Sequence, residues 1–380
     1  MLDADSLRLA WWLIIVVLIL GFVLTDGFDF GACILLPWAG RNDDERRVII
    51  NTVGATWEGN QTWLITAAGA VFAAWPLVYA VSFSGLYGAF LLALFGLFCR
   101  PVGFDYRSKI SDPRWRGTWD WALFAGGLVP TIVFGLLLGN LFLGLPFRLD
   151  DDYRPSYDGG FFGLFHPFAC VVGVLAVALC AMHGGAYVQS RADAAFARHI
   201  GRYTGVASLV VATLAVVCAL WLATSLEGYR LLAPSASPWL QPPQTMQVER
   251  ASGAWLARDA GTLSIIGALA LFGLLGALSA AWCTRAAHYR LAFASSALAI
   301  VGVLGAGALT LFPFLLVSSV DPGRSLTVWN ATSSPKTLQI MLWVALVFVP
   351  LIVLYTGWVY RVLSGPITVE HIRRDGKRLY

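Results

Sequence analysis

Long apolar runs alternate with short polar connections along almost the whole chain. Each run has about twenty residues or more, enough for an α-helix to cross a hydrocarbon core of about 30 Å. The pattern predicts an all-α membrane protein with about nine transmembrane helices in one integral membrane domain, residues 1–380. The prolines of segment 225–260 indicate an external loop. The predicted helices lie near 9–37, 48–74, 77–99, 119–145, 161–188, 203–224, 261–283, 291–317 and 337–362.

Composition and charge support a membrane protein and predict its orientation. Hydrophobic residues make up 58% of the chain and charged residues 13%, against about 25% charged residues in soluble domains. Eighteen of the 26 lysines and arginines fall in the loops of one side, if the C-terminal tail is counted with them. Because cytoplasmic loops hold the excess of these residues, we predict an outside N-terminus and a cytoplasmic C-terminus. The net charge of +4 then reflects topology and not nucleic-acid binding.

Motifs for self-contained redox or ATP-driven chemistry are absent from the sequence. It contains no CxxC pair, CxxCH haem site, glycine-rich phosphate loop or HExxH motif. His166 and His183 are seventeen residues apart on one predicted helix, about 25 Å at 1.5 Å per residue, so they cannot sandwich one haem. We expect a structural or surface role for both histidines.

A glutamate inside the second predicted helix is the main functional signal. A charged side chain at the membrane centre costs about 2.5–3.5 kcal/mol on insertion scales and therefore marks a functional site. Glu58 lies ten residues into its predicted helix, about 15 Å deep. Asn51, Glu58 and Thr62 would share one helical face, with Gln61 beside them. Such a polar stripe can face a partner or a file of water.

Three further carboxylates lie closer than Glu58 to the predicted cytoplasmic side. Asp26 and Asp29 lie in the inner half of the first predicted helix, and Asp105 follows Arg100 just beyond the third. The series suits proton uptake, because a desolvated carboxyl group can be protonated near neutral pH. Alternatively, Asp26, Asp29, Arg100 and Asp105 form structural ion pairs at a helix end, with Glu58 hydrogen-bonded to a neighbour.

Several long blocks resemble a known family. The segments TDGFDFG (25–31), GRNDDERR (40–47), WEGNQTWLITAAGAVFAAWP (57–76) and RPVGFDYRSKI (100–110) are similar to signature blocks of subunit II of the cytochrome bd quinol oxidases. The blocks RWRGTWDWALF (114–124), GNLFLGLPF (139–147) and LTVWNATSS (326–334) agree with that family in order and spacing. The likeness extends over roughly residues 6–380.

The resemblance implies a fold and a partner. The fold would be two four-helix bundles with one peripheral helix. Subunit I of this family carries two b-type haems, haem d and the site of quinol oxidation. Subunit II typically carries no haem, can hold a quinone in an apolar pocket, and completes a complex that a small single-helix accessory subunit can join. The complex would serve aerobic respiration in a bacterial inner membrane, in contact with quinol and lipid.

The resemblance also implies roles for individual residues. Glu58 matches the acidic position of a W-acid-GNQ motif whose proposed role is to relay protons toward haem d. Asp29, Arg100 and Asp105 match charged positions near the proposed site of proton uptake. We therefore predict a proton pathway through Glu58, Asp29, Asp105 and Asp26. The predicted supporting residues are Arg100, Trp57, Asn60, Gln61 and Lys109.

Three functions are compatible with these residues. The leading hypothesis is a non-haem subunit of a quinol:oxygen oxidoreductase that delivers cytoplasmic protons to oxygen chemistry in its partner. A second is a purely structural scaffold for that partner. A third is a proton-coupled secondary transporter whose carboxylates bind the coupling ion at a broken helix.

Overall fold

A computed structural model describes residues 3–232 and 246–375, which are mainly helical. The α-helices are α1 (Ala4–Ala39), α2 (Asp43–Gly54), α3 (Trp57–Ala74), α4 (Pro76–Gly85), α5 (Tyr87–Tyr106), α6 (Pro113–Leu143), α7 (Pro167–Arg191), α8 (Ala194–Thr224), α9 (Ala260–Arg285), α10 (Tyr289–Leu311), α11 (Pro335–Val362) and α12 (Val369–Asp375). Within these residues eight helices are individually long and apolar enough to cross a membrane, and the bent pair α3–α4 makes a possible ninth. This agrees with the predicted architecture.

The long helices form two bundles. Helices α1, α3, α5 and α6 make the first, α7 to α10 make the second, and α1 and α6 join them by packing on α7. Helix α11 lies outside both, and its main contacts with the long helices are with α1 and α3. The predicted arrangement of two four-helix bundles and one peripheral helix is confirmed.

The two ends of the bundles differ in structure. At the end where α1 begins, here called the Ala4 end, the connections form three short antiparallel strand pairs. These are β1 (Phe147–Leu149) with β2 (Pro155–Tyr157), β3 (Glu227–Leu231) with β4 (Val248–Ser252), and β5 (Phe314–Leu316) with β6 (Leu326–Thr327). The predicted loop 225–260 thus begins and ends in paired strands, and its residues 233–245 lie outside the described residues. The opposite end, here called the Ala39 end, carries the start of α2, the start of α6, and α12.

Short polar residues fix the starts of several helices. Asp3, Asn42, Asp193 and Ser334 each precede a helix and accept a hydrogen bond from a backbone N–H of its first turn. Such caps satisfy donors that have no partner inside the helix. Helices α6, α7 and α11 also begin with proline, whose fixed φ suits the first helical position.

Two predicted helices differ from the observed ones. The second, expected as a continuous helix over 48–74, is interrupted at Ala55 and Thr56 between α2 and α3. The third, expected from 77, begins only at Tyr87, because residues 76–85 form α4, which is bent by 119° from α3. Pro76 accounts for this bend, since a proline disfavours helical backbone at the residue before it, here Trp75 with φ −132° and ψ 72°.

Candidate functional site

Three charged side chains meet inside the first bundle. Asp26 and Asp29 project from α1 and Arg100 from α5, and all three are fully buried. Arg100 Nη1 donates to Asp26 Oδ2 at 3.0 Å, and its Nη2 donates to the other oxygen of the same carboxylate. Asp29 Oδ2 lies 3.9 Å from Arg100 Nη2. Spacing i, i+3 brings both carboxylates to one face of α1.

Aromatic rings enclose the guanidinium group. The centroid of Phe30 is 4.3 Å from Arg100 Cζ, and the centroid of Trp57 is 5.8 Å from it. A cation over an aromatic face is stabilised by the ring quadrupole, most strongly where water is excluded. Trp57 also contacts Phe104 of α5, with 5.5 Å between ring centroids. Trp57, one of the predicted supporting residues, therefore closes one side of the charge cluster.

Asp29 is held by an amide of α3. Asn60 Nδ2 donates to Asp29 Oδ2 at 2.7 Å, and Asn60 Oδ1 accepts from the hydroxyl of Tyr360, in the last turn of α11. Asp29 Oδ1 is buried and has no hydrogen-bond partner among the described residues. The cluster contains two carboxyl groups and one guanidinium, so a single proton on Asp29 would make it electrically neutral.

Glu58 lies on the opposite face of α3 from Asn60. It is the second residue of the helix, its side chain is exposed on this chain, and it forms no ion pair or hydrogen bond within the described residues. The expected stripe of Asn51, Glu58 and Thr62 is wrong, because the interruption at residues 55–56 puts Asn51 on α2. There it is buried and its Nδ2 donates to Arg47 O at 2.8 Å.

The remaining predicted site residues lie apart from the buried cluster. Asp105 and Lys109 are exposed near the Ala39 end, and Gln61 is half-buried on α3. The alternative of one ion-pair group therefore holds for Asp26, Asp29 and Arg100 but is wrong for Asp105. Asp105 nevertheless follows Phe104, which contacts Trp57, and Glu58 follows Trp57. Glu58 and Asp105 are thus each next in sequence to one of the two rings through which α3 and α5 contact each other.

A second ion network was missed by sequence reasoning. Arg107, counted above as a loop charge, is 1% exposed. Its Nε donates to Asp120 Oδ1 at 2.5 Å, and its Nη2 donates to Asp43 Oδ1 at 3.0 Å. Arg46 Nη1 also reaches Asp120, at 2.9 Å. The network joins the start of α2 to the start of α6 at the Ala39 end. The only signal for it in the sequence was Asp120 near the start of an apolar run.

His166 and His183, the two histidines considered from the sequence, both have structural contacts. His166 caps α7, with its Nδ1 accepting from Phe168 N at 3.2 Å. His183 is fully buried and contacts Ser296 Oγ at 2.7 Å and Leu24 O at 3.0 Å. Among residues 3–232 and 246–375, histidine, cysteine, aspartate and glutamate side chains do not gather in threes that could hold a metal ion.

Comparison with known proteins identifies the family. The family model described as "Cytochrome bd terminal oxidase subunit II" matches residues 7–363. The chain belongs to this family. It is similar to cytochrome bd-I ubiquinol oxidase subunit 2 of Escherichia coli (strain K12), with 42% identity over 380 residues and 100% of both chains covered. Cytochrome bd ubiquinol oxidase subunit 2 of Bacillus subtilis (strain 168) is 31% identical, with 96% of this chain and 97% of the relative covered.

A solved structure agrees on the fold. A chain of the bd oxidase from Geobacillus thermodenitrificans has a TM-score of 0.63 at 10% identity, with 97% of this chain and 99% of that chain covered. As a cytochrome bd subunit II with many apolar helices, the chain is a multi-pass protein of a bacterial inner membrane and a subunit of a terminal oxidase complex. The predicted family is confirmed.

Proposed function

We propose that this cytochrome bd subunit II completes a quinol:oxygen oxidoreductase and delivers protons to the oxygen-reduction site of its partner, subunit I. The two b-type haems and haem d belong to that partner in this proposal, so the present chain supplies protons and not electrons. The Ala39 end faces the cytoplasm and the Ala4 end faces outward, in line with the excess of lysine and arginine at the Ala39 end. The binding of a quinone in this subunit and the presence of a single-helix accessory subunit in the complex stay predictions.

The outward position of Glu58 is the observation that carries the proposal. Its carboxylate projects sideways from a helix of the first bundle, where a lipid-facing glutamate would be costly. Ionisable groups in membranes face a bundle interior, a water-filled cavity or a partner. Glu58 faces away from its own bundle, so the compensating polar surface has to come from subunit I and the water between the subunits.

The rest of that helix face suits contact with another helix. We define the α3 outer face as Glu58, Gly59, Thr62, Thr66 and Gly69, all of which are exposed. A Cβ atom added at Gly59 or Gly69 would meet no atom within 4 Å among the described residues outside its own helix backbone and chain neighbours. Small residues and hydroxyls allow membrane helices to approach closely and to bond across the interface. A partner helix on this face would seal Glu58 from lipid.

Asp105 and the buried cluster complete the proposed route. Asp105, exposed on α5 nearer the Ala39 end, takes up protons that continue along the subunit interface to Glu58. Asp29 lies behind Glu58 across α3, about one helix diameter or roughly 10 Å away. At that distance a unit charge acts on another by about 1–2 kcal/mol at an effective dielectric constant of about 20. The proton on Asp29 therefore adjusts how readily Glu58 gains and releases its own proton.

Replacing Glu58 by glutamine tests the relay. We expect the variant complex to assemble with its full haem content and to lose about a hundredfold in the rate of oxygen reduction, the low end of what a positioned proton-transfer group contributes. The measurements are the visible spectrum and the quinol-driven oxygen consumption of the purified complex. Glu249→Gln, at an exposed glutamate of β4, is the matched control and should consume oxygen at the normal rate.

The same experiment separates the alternative functions. Normal oxygen consumption in the Glu58→Gln complex would rule out the relay, and loss of haem or of subunit I would favour a scaffold. A protein that purifies as a colourless homo-oligomer without a haem-bearing partner would favour the transporter instead.

A further inference from the structure

Helix α11 touches the bundles at two places. Near its start, Leu338 and Leu342 are buried, and Trp11 Nε1 donates to Leu338 O at 2.9 Å. Near its end, the half-buried Tyr360 reaches Asn60. The middle of the helix is exposed on this chain, with side chains such as Leu351 and Leu354 more than half exposed. Helix α11, although peripheral, thus places one polar side chain, that of Tyr360, near the buried charge cluster.

The two hydrogen bonds of Asn60 fix the orientation of its amide. The amide oxygen accepts from the Tyr360 hydroxyl at 2.5 Å, so the amide nitrogen is the atom that donates to Asp29 Oδ2 at 2.7 Å. Without the tyrosine hydroxyl, either end of the amide could face the carboxyl group. With it, Oδ2 of Asp29 is held as an acceptor and has Arg100 Nη2 as its second neighbour, at 3.9 Å.

We propose that Tyr360 is the positioning residue of the Asp29 proton site: through Asn60 it fixes Oδ2 as the hydrogen-bond acceptor and leaves Oδ1 as the oxygen that takes up and releases the proton. The inference rests on the proposed function in one respect, namely that Asp29 exchanges a proton. Uptake forms one O–H bond on Oδ1 and breaks one O–H bond of a hydronium ion, which leaves as water, and release reverses the step. Asp29 Oδ1 suits this role because its hydrogen-bonding capacity is unused by the described residues.

Other groups around Asp29 already have different roles. Asp26 is neutralised by the paired bonds of Arg100, and the Tyr187 hydroxyl accepts from Arg191 Nη1 at 3.1 Å. The charged and titratable groups that face Asp29 are Asp26 and Cys33 of α1, Arg100 of α5, Tyr187 of α7 and Tyr360 of α11. Of these, Tyr360 reaches Asp29 through a single neutral amide, which makes its effect separable by mutation.

Infrared spectroscopy of the purified complex tests this assignment. The C=O stretch of a protonated buried carboxyl group that disappears in Asp29→Asn identifies the Asp29 band. In Tyr360→Phe we expect that band to persist to higher pH, because a carboxylate that loses a hydrogen-bond donor holds its proton more tightly. The proton affinity should rise about twofold to tenfold, the effect of one ordinary hydrogen bond. Tyr355→Phe, at a 62% exposed tyrosine of the same helix, should leave the band unchanged.

A double substitution distinguishes positioning from anchoring. If Tyr360 acts through Asn60, Asn60→Ala should shift the band at least as far as Tyr360→Phe, and combining the two should add nothing. An unshifted band in Tyr360→Phe, additive shifts, or a Tyr360→Phe complex that fails to assemble when Asn60→Ala assembles would each overturn the proposal. A shifted band together with normal oxygen consumption in Glu58→Gln would instead overturn the proton-delivery function and leave the role of Tyr360 intact.

Discussion

The Arg100→Gln variant should fail to accumulate as an intact complex. Its substitution leaves Asp26 and Asp29 facing each other in a fully buried site, without the guanidinium that donates to Asp26 and lies 3.9 Å from Asp29. Removing one partner of a buried ion pair costs about 3–5 kcal/mol because the remaining charge is uncompensated. That is a large fraction of the whole stability of a typical domain, about 5–15 kcal/mol. We expect little of this subunit in the membrane and a lower Tm for any complex recovered.

Two comparisons make this prediction specific. Arg148→Gln breaks a pair with Asp158 whose side chains are 60% and 47% exposed, and an exposed pair contributes about 1 kcal/mol or less. This control should accumulate normally. Adding Asp26→Asn to Arg100→Gln should restore part of the yield, because it removes one of the two stranded carboxylates. Normal yield and Tm in Arg100→Gln alone would contradict the structural importance of the cluster.

Gly31→Ala should separate the two bundles. A Cβ atom at Gly31 would lie 1.8 Å from the backbone oxygen of Cys180 and 3.0 Å from the Cα of Gly184. Backbone atoms cannot rotate away as a side-chain tip can, so α1 and α7 would have to move apart. Overpacking costs about 1–3 kcal/mol or more, and this contact is at the upper end. The thermal unfolding of the detergent-solubilised complex should shift to a clearly lower Tm.

The matched control for this prediction is Gly267→Ala on α9. Among the described residues a Cβ atom added at Gly267 would meet nothing within 4 Å outside its own helix backbone and chain neighbours, and alanine is the better helix former. This variant should be as stable as the original protein or slightly more so. Equal Tm values for Gly31→Ala and Gly267→Ala would show that α1 and α7 do not pack through Gly31 in the assembled complex.

The sequence predicted the spanning helices well and their interruptions poorly. Apolar length is a property of the chain itself, so eight of the nine predicted regions correspond to helices whose composition suits a membrane. The interruption at Ala55 and Thr56 lies inside a run of mixed polarity and has no proline to mark it. Pro76 marks the bend at Trp75, and the predicted helices 48–74 and 77–99 are separated there. The break at Leu86 between α4 and α5 has no proline to mark it, and 77–99 was predicted as one helix.

The site was predicted only in part, because sequence spacing carries local information and does not show how helices pack. Sequence spacing put Asp26 and Asp29 on one face and resemblance added Arg100 and Asn60, all of which meet in the structure. The face that Glu58 occupies depends on which side of α3 packs against α1, and this information is not local. Tyr360 lies 300 residues from Asn60, and no sequence pattern connects them.

The sequence by itself determined that this chain spans a membrane many times, which runs do so, and which charged residues lie within or beside them, because each of these follows from local composition and length. It also carried the family resemblance. Only the tertiary structure decided that Arg100 binds Asp26 and Asp29 in a closed cluster, that Arg107 is buried with Asp120, and that Glu58 faces outward. These depend on how helices distant in sequence pack, and burial and charge compensation are properties of that packing.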